Sequence, residues 1–336
     1  MHKAFFCLLL VMFATTPVPC FAWNNVGHMT VAKIAYDGLD KETKGRIFEL
    51  LQKHPHYEKF LKANKPPNVD VDEWVFLRAA AWPDWVRAPK GQAEMDFSIV
   101  RFDRPDDHFA DLPVFAKGEA PAFIDAINRK EGPHGVVCAL KQRSDEFTRK
   151  SVPPEDKAVA LCWMLHLIGD IHQPLHCASF FSESRYPHGD FGGNAMTVEI
   201  DGHPWILHTY WDDLLGKTDD DYSDSEALAA KAHAVVIRKA ASLEKAIPAK
   251  ALPELRRKEF KDWAGESHAL AEDVAYWRGA IAEVAVPTPR DKEETPKGIQ
   301  RVPDGYAAKA KEVADRRAAL AGYRAMKFLQ ETLKSK

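Results

Sequence analysis

Residues Trp163 to His176 set three histidines and an aspartate into an otherwise apolar stretch. His166 and Asp170 are four apart, so on a helix they share one face. A carboxylate in such a helix is tolerated mainly when it is paired or coordinates a metal. The stretch therefore demands a buried central helix that carries a charged site, with the other elements assembled around it.

The 336 residues, 46% of them hydrophobic, are enough for a substantial core. Apolar residues recur at three and four over Val31 to Leu39, Thr43 to Gln52, Val71 to Ala81, Val136 to Phe147 and Ala158 to Ile171. They do so again over Glu226 to Leu243, Leu252 to Trp263, His268 to Val284 and Tyr306 to Leu333, which predicts an all-α chain. One strand signal stands out. Ala195 to Ile200 and His203 to Leu207 flank Asp201-Gly202, the pattern of a short β-hairpin that runs into His208. Residues 287–305, charged and interrupted by prolines, read as a surface loop insertion before the last helix. With one helix after it, no second domain follows, so 23–336 read as a single all-α domain.

Residues 1–22 read as a secretory signal peptide. His2 and Lys3 precede an apolar run from Ala4 to Ala14, and Cys20-Phe21-Ala22 places small residues at a cleavage point that would expose Trp23. The run is shorter than the roughly 20 residues that span a bilayer. The expectation is a secreted or periplasmic monomer with no membrane attachment and no stable protein partner. A net charge of −3 offers no basic surface for a polyanion, so phosphate groups must be attracted locally. Cys138, Cys162 and Cys177 remain after cleavage, an odd number; Cys177 and Cys138 are a conceivable pair.

Several short motifs gain meaning together. Trp23 to His28 would place a free amino group five residues before an imidazole. Trp82-Pro-Asp84-x-x-Arg87 offers a carboxylate with an arginine near it, and Asp106 to Asp111 includes His108 and Phe109. Each alone has a bland reading, as a helix-start histidine, a surface ion pair or a loop. His208 and Asp212, however, repeat the four-residue spacing of His166 and Asp170. Two imidazole-carboxylate faces point to a multi-metal site, and His and Asp ligands without cysteine suit Zn2+. Three ions are expected: one at Asp84, His108, His166 and Asp170; one at His176, His208 and Asp212; one at Trp23, His28 and a shared Asp170. Asp213 lacks the helical spacing. His172, His188 and His203 read as surface or supporting residues, and the Arg316-Arg317 helix as a solvated face. Gly216-Lys217-Thr218 is no phosphate loop, because Trp211 stands where the first glycine is needed.

The ordered set, extended by Gly192-Gly193-Asn194 and Leu207-His208-x-x-Trp211-Asp212, resembles the trinuclear-zinc single-strand nucleases and 3'-nucleotidases, which include mung bean nuclease and the plant bifunctional nucleases. Weaker likeness continues through Trp263-x-x-Glu266 and Leu320-Ala-Gly322-x-Arg324. The resemblance implies an all-α fold shared with zinc-dependent phospholipase C. It also implies hydrolysis of single-stranded DNA and RNA to 5'-mononucleotides by metal-activated water, with 3'-nucleotides as further substrates. It assigns Asp84, Arg87 and Asp170 to catalysis, Arg87 facing phosphoryl charge. Phe109, Asp111 and Asn194 fall in substrate-binding positions. The chain departs from eukaryotic members in lacking their disulfide cysteines. The rival functions are a zinc-dependent phospholipase C, against which the short Trp23 to His28 spacing and Asp212 argue, and a non-catalytic exported metal-binding protein.

Overall fold

The computed structural model describes residues 23–87, 96–128, 135–218, 225–282, 285–286 and 298–333. The proposed leader at 1–22, residues 219–224 and most of the proline-interrupted segment, 287–297, lie outside them. Helices carry most of the described chain: α1 (Asn25–Asp37), α2 (Lys41–Leu51), α3 (Val71–Trp85), α4 (Phe97–Val100), α5 (Pro121–Asn128), α6 (Val136–Thr148), α7 (Pro154–Asp170), α8 (Leu207–Asp212), α9 (Glu226–Ala246), α10 (Phe260–Leu270) and α11 (Tyr306–Leu333). The all-α class expected from periodicity is the class observed.

Local chemistry starts these helices where the sequence allows. The Asn24 side chain caps α1 by accepting from Gly27 N at 3.0 Å, and Asp40 caps α2 by accepting from Thr43 N at 2.8 Å. Pro154, with Glu155 and Asp156 in the first turn, opens α7. From Ala160 to Asp170 every residue of α7 is buried. A helix buried all round is a core element, and α1, α3, α6 and α11 pack against it.

The hairpin forms as expected, from β3 (Thr197–Ile200) and β4 (His203–Ile206), with Asp201 and Gly202 both at positive φ in the turn. Several features depart from the sequence reading. Part of the presumed insertion is β6 (Ile299–Arg301), which pairs in parallel with β3 and antiparallel with β5 (Ala285–Val286) in a sheet ordered β4-β3-β6-β5. A second, parallel pair joins β1 (Pro113–Phe115) to β2 (Ser179–Phe181). The helix expected over Leu252 to Trp263 is instead a short 3-10 turn, Pro253–Arg256, followed by α10. Side chains have taken its carbonyls: Arg324 Nη2 donates to Glu254 O at 2.8 Å and Trp263 Nε1 to Arg257 O at 3.0 Å. The helix expected over His268 to Val284 stops early as well, with Trp277 and Arg278 at φ 48° and 55°. Cys138 is exposed whereas Cys162 and Cys177 are buried, and among the described residues no bridge joins Cys138 to Cys177.

Helix α11 lies close on α1 because Gly322 has no side chain. A Cβ there would stand 2.6 Å from Ile34 Cβ and 3.0 Å from the Val31 carbonyl. Gly322→Ala is expected to cost about 1–3 kcal/mol through overpacking. Gly265→Ala, where an added Cβ meets nothing within 4 Å, should be neutral or gain up to about 1 kcal/mol of helix propensity. Denaturant unfolding of the two variants reads the difference.

Candidate metal centre

Four helices and two loops deliver the charged residues to one place. His28 comes from α1, Asp84 from the last turn of α3, and His166 and Asp170 from α7. His208 and Asp212 come from α8, while His108 ends one 3-10 turn and His176 lies within another. All eight are buried. Ligand-type atoms gather in three groups, each within 4.8 Å, the first two sharing His166: His28, His166 and Asp170; Asp84, His108 and His166; His176, His208 and Asp212.

Asp170 divides its two oxygens between neighbours. Oδ1 lies 3.3 Å from His28 Nε2, whereas Oδ2 lies 2.9 Å from His108 Nδ1 and 3.3 Å from His166 Nε2. A carboxylate so placed can bridge two cations. The close approach of His28 depends on Gly169, where an added Cβ would fall 2.7 Å from His28 Nδ1. Trp23 is wholly buried beside it, its indole donating to the Gly169 carbonyl at 3.1 Å.

Backbone carbonyls orient the rings. Nδ1 of His166 donates to Ala80 O at 2.8 Å, that of His176 to His108 O at 2.9 Å, and that of His208 to Gly192 O at 2.6 Å. In each neutral ring this turns an Nε2 lone pair into the site, the usual arrangement for a metal-binding histidine. His176 Nε2 and His208 Nε2 then face each other at 3.1 Å. Two lone pairs at that distance repel unless a cation lies near both. Moreover, His28 Nδ1 and Nε2, Asp84 Oδ1, His108 Nε2 and Asp170 Oδ1 are buried and make no hydrogen bond among the described residues. Native proteins rarely leave such atoms unsatisfied. The donor set thus fits divalent cations, and its oxygen and nitrogen composition fits zinc.

Electrostatics point the same way. Burial pushes the Asp170 carboxyl well above the usual carboxylate range, and the Asp84 charge adds to the effect. Burial also raises Asp84 and Asp212. It holds the His28 and His108 imidazoles well below their ordinary value and lowers His166 to about 3. Dehydrated carboxylates surrounded by neutral imidazoles need positive charge from elsewhere, and bound cations supply it.

The remaining expected residues rim this centre. Arg87 Nε stands 3.4 Å from Asp84 Oδ1. Half-buried Phe109 lies against His176, ring centroids 4.7 Å apart, and Asp111 is exposed nearby. Asn194 shares a cavity of about 200 Å³ with Asn24, Asn25, Thr209, Asp213 and the ligand-type residues His208 and Asp212. Asp213 itself joins no ligand group and instead accepts from Asn24 Nδ2 at 2.9 Å. His188 and His203 are exposed and outside the groups.

Sequence reasoning missed two neighbours. Phe191 is 64% exposed at φ 56° beside Gly192. Asp190, wholly buried, holds that loop by accepting from Phe180 N at 2.8 Å and Tyr276 OH at 3.0 Å, and burial lifts its carboxyl to about 6. Their proximity to Gly192-Gly193-Asn194 was the available signal.

Comparison with known proteins settles the lineage. A family profile described as S1/P1 nuclease matches residues 23–334. The chain belongs to the S1/P1 nuclease family. Its relatives include Endonuclease 4 of Arabidopsis thaliana, 26% identical over 198 residues that cover 57% of this chain and 55% of that protein. Nuclease S1 of Aspergillus oryzae is 25% identical over 193 residues, 57% of this chain and 54% of the relative. A shorter match, 76 residues at 32% identity, links it to Nuclease P1 of Penicillium citrinum, with 23% and 25% covered. The aligned region thus spans about half the length of Endonuclease 4 and Nuclease S1.

Gly169→Ala should displace His28 and weaken divalent-cation binding by about 10- to 100-fold, as read by competitive chelator titration. Unchanged affinity would show that His28 need not approach so closely.

Proposed function

We propose that this chain is an exported zinc-dependent nuclease that cleaves single-stranded DNA and RNA to 5'-mononucleotides and also removes 3'-phosphates. The observation that carries the reading is the presence of three buried ligand groups, with Arg87 beside Asp84, in a chain of the S1/P1 family. Residues 23–336 would act as one domain and as a monomer, after loss of 1–22. Among the described residues no helix is long and apolar enough to cross a membrane.

Asp84, His108, His166 and Asp170 would hold one zinc ion, His176, His208 and Asp212 a second, and His28, Asp170 and the Trp23 amino terminus a third. Bound zinc supplies Lewis acidity toward phosphoryl oxygens and activates water near neutral pH. The protein's own residues supply position and charge. Asp170 fixes the separation of two ligand groups through its two oxygens. Arg87, steadied by Asp84, presents a guanidinium that can pair with phosphoryl oxygens as charge develops on them. Phe109 and exposed Phe191 offer aromatic faces on which an unpaired base can stack with little regard to sequence. Asn194 and Asp111 offer hydrogen bonds to its polar edge. The ligand atoms are buried, so a phosphate reaches them only on a strand free to bend inward, which accounts for a preference for single strands.

Incubation of the metal-loaded chain with denatured DNA, 3'-AMP and phosphatidylcholine tests the reading. Nucleotide and phosphate release, abolished by chelator and restored by zinc, is expected. Lipid turnover without nucleotide release would replace it with a phospholipase C, and inertness toward all three with a metal-binding protein. Arg87→Met should lower kcat on DNA by about 10²- to 10³-fold with its metal retained. Asp170→Ala should lose activity and more than one ion per chain by elemental analysis; loss of a single ion would contradict a bridging role.

A further inference from the structure

The turn that leaves α7 joins Asp170, in one ligand group, to His176, in another, so its backbone sets the distance between those groups. A buried polar network grips that turn. Ser267 Oγ donates to the Ile171 carbonyl at 2.5 Å, and Arg317 Nε to the His172 carbonyl at 3.2 Å. His172 is wholly buried, with Nδ1 2.7 Å from the Ile168 carbonyl and Nε2 2.8 Å from Arg324 Nη1. A guanidinium only donates, so Nε2 accepts and Nδ1 carries the proton. The surface reading of His172 is thereby excluded.

Both arginines converge on Glu266. Arg317 Nη1 reaches Oε2 at 2.7 Å; Arg324 Nη1 reaches the same oxygen at 2.8 Å and Nη2 reaches Oε1 at 2.9 Å. Arg317 Nη2 also donates to Ser267 Oγ at 2.7 Å, and the Arg324 guanidinium lies 4.7 Å over the Trp263 ring. Arg317 is 2% and Arg324 3% exposed, so the face expected to be solvated is partly a core contact. Two guanidiniums against one carboxylate leave positive charge at the C-terminal end of α7, where the helix dipole is negative. Apolar packing would glue α10 and α11 to α7 at least as well as a buried ion network. What guanidinium forks add is fixed geometry.

We propose that Glu266, Arg317 and Arg324, acting through Ser267 and His172, are positioning residues. They lock the backbone from Ile168 to His172 and so hold Asp170 and His176 at the spacing that metal binding requires. The inference rests on the metal-centre reading above, and its test separates the two.

Three chains are compared: wild type, Ser267→Ala, and Ser225→Ala, which removes the α9 cap that accepts from Leu228 N at 3.2 Å. Arg317→Lys, which keeps the charge and loses the fork, serves as a stronger variant. Melting temperature, zinc release to a chromophoric chelator, and amide hydrogen exchange over residues 168–177 of the metal-free chain are measured. Ser267→Ala is expected to release zinc about tenfold faster than wild type and to exchange faster over 168–177. Ser225→Ala, with a similar loss of melting temperature, should do neither. Equal zinc release from the two serine variants overturns the clamp, and so does unchanged exchange over 168–177. A wild-type chain that retains no zinc overturns the metal-centre reading beneath it. Should Arg317→Lys fail to fold, Ser267→Ala decides alone.

Discussion

Dehydration of Asp170 is the constraint around which this molecule is organised. Its carboxylate ends a helix buried over its last eleven residues, and isolated charge in such surroundings is costly enough that a group neutralises or finds a partner. The imidazoles of His28, His108 and His166 surround it within 3.3 Å, yet burial keeps those rings neutral. Neutral rings cannot discharge a carboxylate. Cations can, and the same argument applies to Asp84 and Asp212. The fold therefore reads as a cage whose polar interior is completed by metal.

Precision in that cage comes from the backbone. Ala80, His108 and Gly192 each give a carbonyl to the far nitrogen of a histidine, so ring orientation is fixed before any ion arrives. Gly169 and Gly322 act by absence, letting His28 approach α7 and α11 approach α1. Binding residues and bare backbone are thus parts of one arrangement, and the network on Glu266 extends it to the C-terminal helix.

Much of this was legible in the sequence, for a definite reason. Helical phase is a local property, so His166 with Asp170 and His208 with Asp212 could be paired by counting, and the hairpin by its Asp201-Gly202 turn. Tertiary contacts are not local. Nothing in the arginine-rich last helix marks Arg317 and Arg324 as buried, because Glu266 and the α7 carbonyls that satisfy them lie far away in the chain. Periodicity likewise suggested a helix from Leu252, whereas the carbonyls there bond to Arg324 and Trp263. Strand β6 escaped notice because three residues inside a charged, proline-rich segment carry too little pattern. Phe191 was invisible for the opposite reason: an exposed aromatic matters only once the site beside it is known.

The most direct measurement is anomalous diffraction at the zinc absorption edge from crystals of the zinc-loaded chain. The account predicts peaks within the His28, His166 and Asp170 group, the Asp84, His108 and His166 group and the His176, His208 and Asp212 group. Peaks confined to other parts of the molecule, or none with zinc in excess, would contradict it.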